Sequence, residues 1–300
     1  MTTSLTVSVP TCRAFRRSLL SVTFTLAIAA LAASSARAHQ FWLAPQRYDP
    51  APGQAVEVGA VAGTGFRGER KPWAPAHALR LVARTSRVID LSRAATIGDQ
   101  AWVRFAPADP GGALLAYESG FTSIELPAAP FDAYLKDEGL TSALAARRHE
   151  NSTAPGRERY RRCAKTWLAG RDAARATGPI GLPLEIVPLS LPGATTSLRL
   201  RVLWNGAPLP GALIKTWRAR LASGGMPQDA AVRDSIPMAW QGHTDARGEL
   251  AMPCAQPGEW LASTVTMVPC PERSVADWES TWASLTFLRP EGARTMSAEW

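Results

Sequence analysis

Residues 197–214 read Ser-Leu-Arg-Leu-Arg-Val-Leu-Trp-Asn-Gly-Ala-Pro-Leu-Pro-Gly-Ala-Leu-Ile. Apolar and polar side chains alternate from Ser197 to Trp204, the period of a strand with one buried face. Asn205-Gly206 is a tight-turn dipeptide, and Ala207 opens the returning strand. This hairpin sets a β class for the last third of the chain. Thr244-Asp-Ala-Arg-Gly248 is a further turn and leads into a strand over Glu249–Met252. Pro257-Gly-Glu-Trp260 turns into Leu261–Val268, and Trp282–Leu288 supplies a final strand. Short strands punctuated at this spacing predict a sandwich of immunoglobulin-like or transthyretin-like kind. Ala222–Ile236, rich in Gly, Pro and charge, is expected to be an exposed loop.

Upstream, Gly178-Pro-Ile-Gly-Leu-Pro-Leu-Glu-Ile-Val-Pro188 breaks regular structure and marks a boundary near 180/181. Before it, residues 39–127 again read as β. Ala55–Val61 alternates, and Leu79–Val82, Arg87–Leu91, Ala101–Phe105, Leu114–Ser119 and Ser123–Leu126 follow with Gly and Pro between them. From Pro130 the period lengthens: Phe131, Tyr134, Leu135, Leu140 and Leu144 fall at helical spacing. Tyr160, Cys163 and Trp167 repeat it, predicting a second helix over about 156–168. The expected architecture is therefore mainly β. It has two β-sandwich domains, 39–180 and 181–300, with a helical insertion over about 130–170 at the end of the first.

The chain opens on a different logic. Arg13, Arg16 and Arg17 precede an apolar run from Leu19 to Ala33, and Ala36-Arg-Ala38 follows. That order is a secretory signal peptide over residues 1–38, and its apolar run is short for a membrane span. Export to the periplasm or beyond is expected, without stable membrane insertion once the leader is removed. The net charge of +8 is partly leader, because Arg13, Arg16, Arg17 and Arg37 lie before the cut and no acid does. What remains is mild and interleaved with acids, which argues against a nucleic-acid track. Cys163, Cys254 and Cys270 stay in the mature chain; an oxidising compartment permits one disulfide, and all three pairings are open.

Cleavage after Ala38 makes His39 the first residue of the run His-Gln-Phe-Trp-Leu43. An N-terminal histidine offers an amine (pKa ~8) and an imidazole (pKa ~6.5) on one residue, a chelate for a transition metal. His77, between a charged loop and a strand, and His243, beside the Thr244-Asp245 turn, are further candidate ligands. No two histidines sit at i, i+4 or on an H-x-H strand, so a metal site would be assembled across the fold. G-x-S-x-G, P-loop and Rossmann glycine patterns are missing from the sequence, and Cys163 has no histidine placed to activate it; no enzyme is expected. The alternative to metal is a carbohydrate- or protein-binding module, with Phe41, Trp42 and Trp73 as its candidate aromatic platform.

Several stretches together resemble one family. They are Ala38–Leu43, Gly63-Thr-Gly-Phe-Arg-Gly-Glu69, Glu125-Leu-Pro127 with Phe131–Leu140, Gly156–Lys165, Gly181-Leu-Pro-Leu-Glu185, the Thr244–Gly248 turn and Asp277–Phe287. The chain resembles the exported bacterial DUF4198 proteins, which are related to nickel and cobalt uptake components of NikM type. The resemblance implies a periplasmic protein that binds a divalent transition metal (nickel, cobalt or copper) and hands it to a separate membrane transporter. His39 occupies the family position. Where the family often carries His-Met-Val-Pro, this chain has Thr266-Met-Val-Pro269, leaving Met267 as a soft thioether ligand better suited to Cu(I). The expected metal set is His39, Met267, His77 and His243.

Overall fold

The computed structural model describes Met1, residues 40–222 and residues 225–292. In chain order, β1 (Gln40–Pro45), β2 (Val56–Thr64), β3 (Arg67–Lys71), β4 (Ala78–Arg84), β5 (Val88–Asp90) and β6 (Val103–Phe105) come first. Next are β7 (Ala113–Ser119), β8 (Thr122–Leu126), helices α1 (Ala128–Asp137) and α2 (Thr141–His149), β9 (Gly156–Leu168) and the one-turn α3 (Ala173–Ala176). β10 (Leu184–Pro188), β11 (Ser197–Trp204), β12 (Ala207–Pro208), β13 (Leu213–Ala219) and β14 (Trp240–His243) follow. β15 (Glu249–Pro253), β16 (Gly258–Pro269) and β17 (Trp278–Arg289) end the described chain.

These strands form three open sheets. The largest runs β14-β13-β16-β17-β9-β7-β4-β5, with β8 beside the first half of β9. A small sheet, β1-β2-β3 with β6, packs Phe41, Leu43, Val56 and Val58 against Leu81, Leu115, Ala164 and Leu168 on one face of it. A second, β10-β11-β12 with β15, packs Ile186, Leu198, Val202 and Met252 against Ala116, Cys163, Ala262 and Leu285 on the other. The fold is thus mainly β, two sandwiches that use the large sheet as a common layer. Strands from either side of residue 180 meet in that layer: β17 pairs parallel with β9 from Trp278↔Glu158 to Thr286↔Thr166.

The segment 156–168 is a strand, not the helix its spacing predicts. Cys163 and Trp167 enter one core, while Ala164 and Leu168 enter the opposite one. A strand covered on both faces reads as a continuous apolar run, and single large residues in such a run imitate a helical period. The helical insertion is accordingly shorter, α1 and α2 alone. α1 accepts Pro130 in its first turn, where no amide partner is needed. It ends at Gly139, whose φ of +67° is the left-handed conformation that closes a helix. Leu135, Leu140 and Leu144 then pack over Val265, Met267, Trp278 and Trp282.

Two other readings are sharpened. Phe41, Trp42 and Trp73 are core residues: Phe41 and Trp73 flank Trp102 and Tyr117, and Trp42 meets Phe66 edge-on at 5.4 Å. Residues 225–236 are mostly exposed, as expected, but Arg233 is buried and donates from Nη1 to Glu259 Oε2 at 2.9 Å. Ala230 fills the same core. A buried charge needs a partner, and this loop supplies one. The three cysteines are buried and free.

Candidate functional site

β9 carries Arg157-Glu-Arg-Tyr-Arg-Arg162. Strand alternation sends Arg157, Arg159 and Arg161 to one face of the large sheet and Glu158, Tyr160 and Arg162 to the other. On the first face the parallel ladder sets each arginine beside its match on or next to β17. Arg157 holds Asp277 with two bonds, Nε to Oδ2 at 3.1 Å and Nη2 to Oδ1 at 2.7 Å. Arg159 holds Glu279 at 2.7 Å and Glu272 at 2.9 Å, and Arg161 donates to Thr281 Oγ1 at 3.1 Å. Such forked pairs lock strand register as well as adding charge-assisted bonds. Asp277 is held below the ordinary carboxylate range, first by the Arg157 hydrogen bonds.

Phe121 lies on this face, 4.7 Å and 5.0 Å from the Arg159 and Arg161 guanidinium carbons, and is 40% exposed. It sits where the register slips by one residue between β7, which ends with Glu118↔Cys163, and β8, which starts with Thr122↔Tyr160. Such a bulge re-aims side chains at a sheet edge. Next to it is a pocket of about 180 Å³ lined by Ser123, Ile124, Glu125, Arg157, Glu158 and Val275. The exposed Val275 and Ile124 give it an apolar rim.

The opposite face is closed by α1. Glu158 is buried, and its Oε1 accepts from Ser280 Oγ and from Tyr134 Oη, the latter at 3.3 Å. Burial pushes the carboxyl up to about 7, against the lowering effect of those two hydroxyls and of Arg162. One helical turn beyond Tyr134, Glu138 is also buried, with Oε1 3.1 Å from Lys215 Nζ; the neighbouring Asp137 accepts from Lys215 at 2.8 Å. Burial raises Glu138 to about 7 as well, despite the Lys215 ammonium. Tyr134, raised well above its ordinary range by burial and then by both carboxylates, stays a donor.

The expected metal ligands are dispersed. His77 is exposed and leads directly into β4, while His243 is exposed on β14 with Nδ1 3.1 Å from the Gly211 carbonyl oxygen. Five strands separate β14 from β4, roughly 29 Å at the usual strand spacing, against a ligand reach of about 2 Å. Met267 is buried with Val265, Trp278 and Trp282. The structure does not bring His77 and His243 together, and His39 lies outside the described residues. Among the described residues no group of three or more His, Cys, Asp or Glu is placed to hold a metal ion. Sequence reading passed over Glu158, Ser280 and Phe121. The alternation within 157–162 was the available signal, hidden by the helical reading of that segment.

Fold and face together define an open-sheet β-sandwich protein whose paired charges bind its central strands to one another. The chain belongs to the DUF4198 family, described as a domain of unknown function, which it matches over residues 36–268. The run Asp277–Phe287 lies beyond that match. A comparison with curated proteins finds no match. Among solved structures the chain is similar to the D0-D1 domain of Intimin, at 9% identity and a TM-score of 0.17. That match covers 83% of this chain and 97% of that one. So low a score carries no argument about fold or role. Among the described residues no helix is long and apolar enough to cross a membrane.

Proposed function

We propose that the protein is an extracytoplasmic binding module without a catalytic role, and that it engages a partner protein on the face of β8, β9 and β17. The observation that carries this reading is the juxtaposition of Phe121 and Val275, both exposed, with the Arg157–Glu125 pocket. Apolar anchors inside a charged rim, with arginine and an aromatic ring at the centre, are the make-up of protein interfaces. The leader of residues 1–38 supports export, hence a partner in the cell envelope or outside it. A photo-crosslinking residue placed at Ser123 in living cells should give a discrete protein adduct, weakened several-fold by Phe121→Ala. An adduct indifferent to Phe121, or none, overturns this reading.

A second reading has its own observation, the Ala36-Arg-Ala38 triplet that would leave His39 with a free amine. On it the protein is a periplasmic carrier of nickel, cobalt or copper that passes the ion to a separate membrane transporter. His39 would chelate through amine and imidazole. With His77 and His243 apart and Met267 buried, the chelate carries the affinity by itself. Isothermal titration of the mature chain with Cu(II), Ni(II) and Co(II) should show one-to-one binding that His39→Ala abolishes. Binding that survives the substitution, or that never occurs, removes the metal.

A further inference from the structure

α1 and α2 cover the β16–β17 end of the large sheet through one polar seam. The seam has two buried carboxyls, both reached from the same side of α1. Tyr134 and Glu138 are four residues apart, so they share one helical face. Tyr134 Oη bonds to Glu158 on β9, and Glu138 pairs with Lys215 on β13. The two strands lie on opposite sides of β16 and β17, so the helix pair is pinned at two separated points. Beneath it are Val265, Met267, Trp278 and Trp282, with Trp282 stacked on Tyr134 at 6.0 Å and 13°.

The titratable and charged groups that meet at the seam are few. α1 brings Tyr134, Asp137 and Glu138; β9 brings Glu158, Tyr160 and Arg162; β13 brings Lys215. β16 and β17 present Val265, Met267, Trp278, Ser280 and Trp282 there, none of them ionisable at working pH. From α2, Arg147 is engaged with Asp132 at 2.7 Å. Glu158 thus meets two neutral hydroxyls on one oxygen. Burial favours the protonated carboxyl, because the two hydroxyls and the charge of Arg162 do not fully compensate its ionisation in an apolar setting. At Glu138 protonation is tolerated, since Lys215 keeps Asp137.

We propose that α1 and α2 form a pH-sensitive cover over the Met267–Trp278–Trp282 surface, docked in acid and loosened as Glu158 and Glu138 ionise. On the extracytoplasmic reading proposed above the chain meets ambient pH directly, and the cover would then present a tryptophan-rich surface only in the neutral-to-alkaline range. Both carboxyls rise from 4.5 to about 7 on folding. The folded state therefore binds more protons between those values, and docking weakens as pH rises through that window. Above it the loss is complete, on the order of a hundredfold in the docking equilibrium for each carboxyl.

Hydrogen exchange of the intact mature chain tests this without any variant. Protection factors of amides in 128–149 should fall by at least tenfold between pH 5 and pH 8, while those of β16 and β17 hold. Glu158→Gln, which keeps the hydroxyl contacts and cannot ionise, should reduce the fall, and adding Glu138→Gln should abolish it. Equal loss across 128–149 and the central strands would show global rather than local opening and overturn the proposal. So would pH-independent protection in the wild-type chain, or an undiminished fall in the double variant.

Discussion

Glu185 and Glu158 are both buried carboxyls, and both meet β9, yet they are opposites. Glu185, on β10, accepts from Lys165 Nζ at 2.8 Å and from the backbone amides of Ile180 at 2.7 Å, Gly181 at 3.0 Å and Leu182 at 3.3 Å. Burial alone would raise it, but the Lys165 ammonium and those amides outweigh burial and hold it below the usual carboxylate range. Glu158 has two hydroxyls and is pushed up to about 7. Donor number and a contacting cation decide the difference; depth does not. The Lys165–Glu185 pair, with a side-chain exposure of 1% on each partner, is a fixed strut between the large sheet and the β10 sheet. The Glu158 seam is an adjustable one.

The strut should break with the larger effect. Lys165→Met keeps the side-chain length and removes the charge, leaving a carboxylate with amide donors alone in a closed core. Loss of one partner of a buried pair costs about 3–5 kcal/mol, read as a lower urea midpoint at pH 7. The sign of its pH dependence follows from Glu185. A lowered carboxyl contributes stability above its unfolded value of about 4.5, and that contribution disappears as pH falls through the folded value. The deficit of Lys165→Met should therefore shrink toward acid. A deficit that is constant with pH, or below about 1 kcal/mol, would show that the backbone amides alone satisfy Glu185.

How much of this was legible in the sequence depends on what each residue type advertises. The Ser197–Trp204 strand with its Asn205-Gly206 turn, the Gly248 and Gly258 turns and the Phe131–Leu144 helical period could all be read, since each rests on local spacing. The returning strand stops at Pro208, and Leu213 onward joins the large sheet instead. β9 could not be read that way. Its neighbours β17 and β7 come from distant parts of the chain, and its second half, Cys163–Leu168, is buried on both faces, which erases the alternation there. Losing β9 also hid the large sheet's joining of strands from both sides of residue 180. It hid the site too, because the Arg157–Arg162 alternation has meaning only in a strand. The Gly181–Glu185 run drew notice as a break between elements. Its purpose is the cradle of three amides around one carboxylate, which only the folded loop displays.

The adjustable seam should give the smaller effect, with its pH dependence in a higher window. Ser280→Ala removes a donor from Glu158 Oε1 and leaves Tyr134. At pH 9 the carboxylate is ionised and the lost bond is charge-assisted, worth about 1.5–3 kcal/mol. At pH 5 the carboxyl is neutral and the same bond is worth about 0.5–1.5 kcal/mol. The deficit should thus grow as pH rises through about 7, where the deficit of Lys165→Met has already levelled off. Thermal or urea unfolding at pH 3, 5, 7 and 9 samples both windows in one series. A Ser280→Ala deficit as level between pH 5 and pH 9 as that of Lys165→Met would mean that Glu158 stays charged throughout, as Glu185 does, and the contrast between the two carboxyls would collapse. A Ser280→Ala deficit that grows through pH 7 beside a level one for Lys165→Met would locate the molecule's neutral-range pH response at the α1 seam and leave the β10 strut outside it.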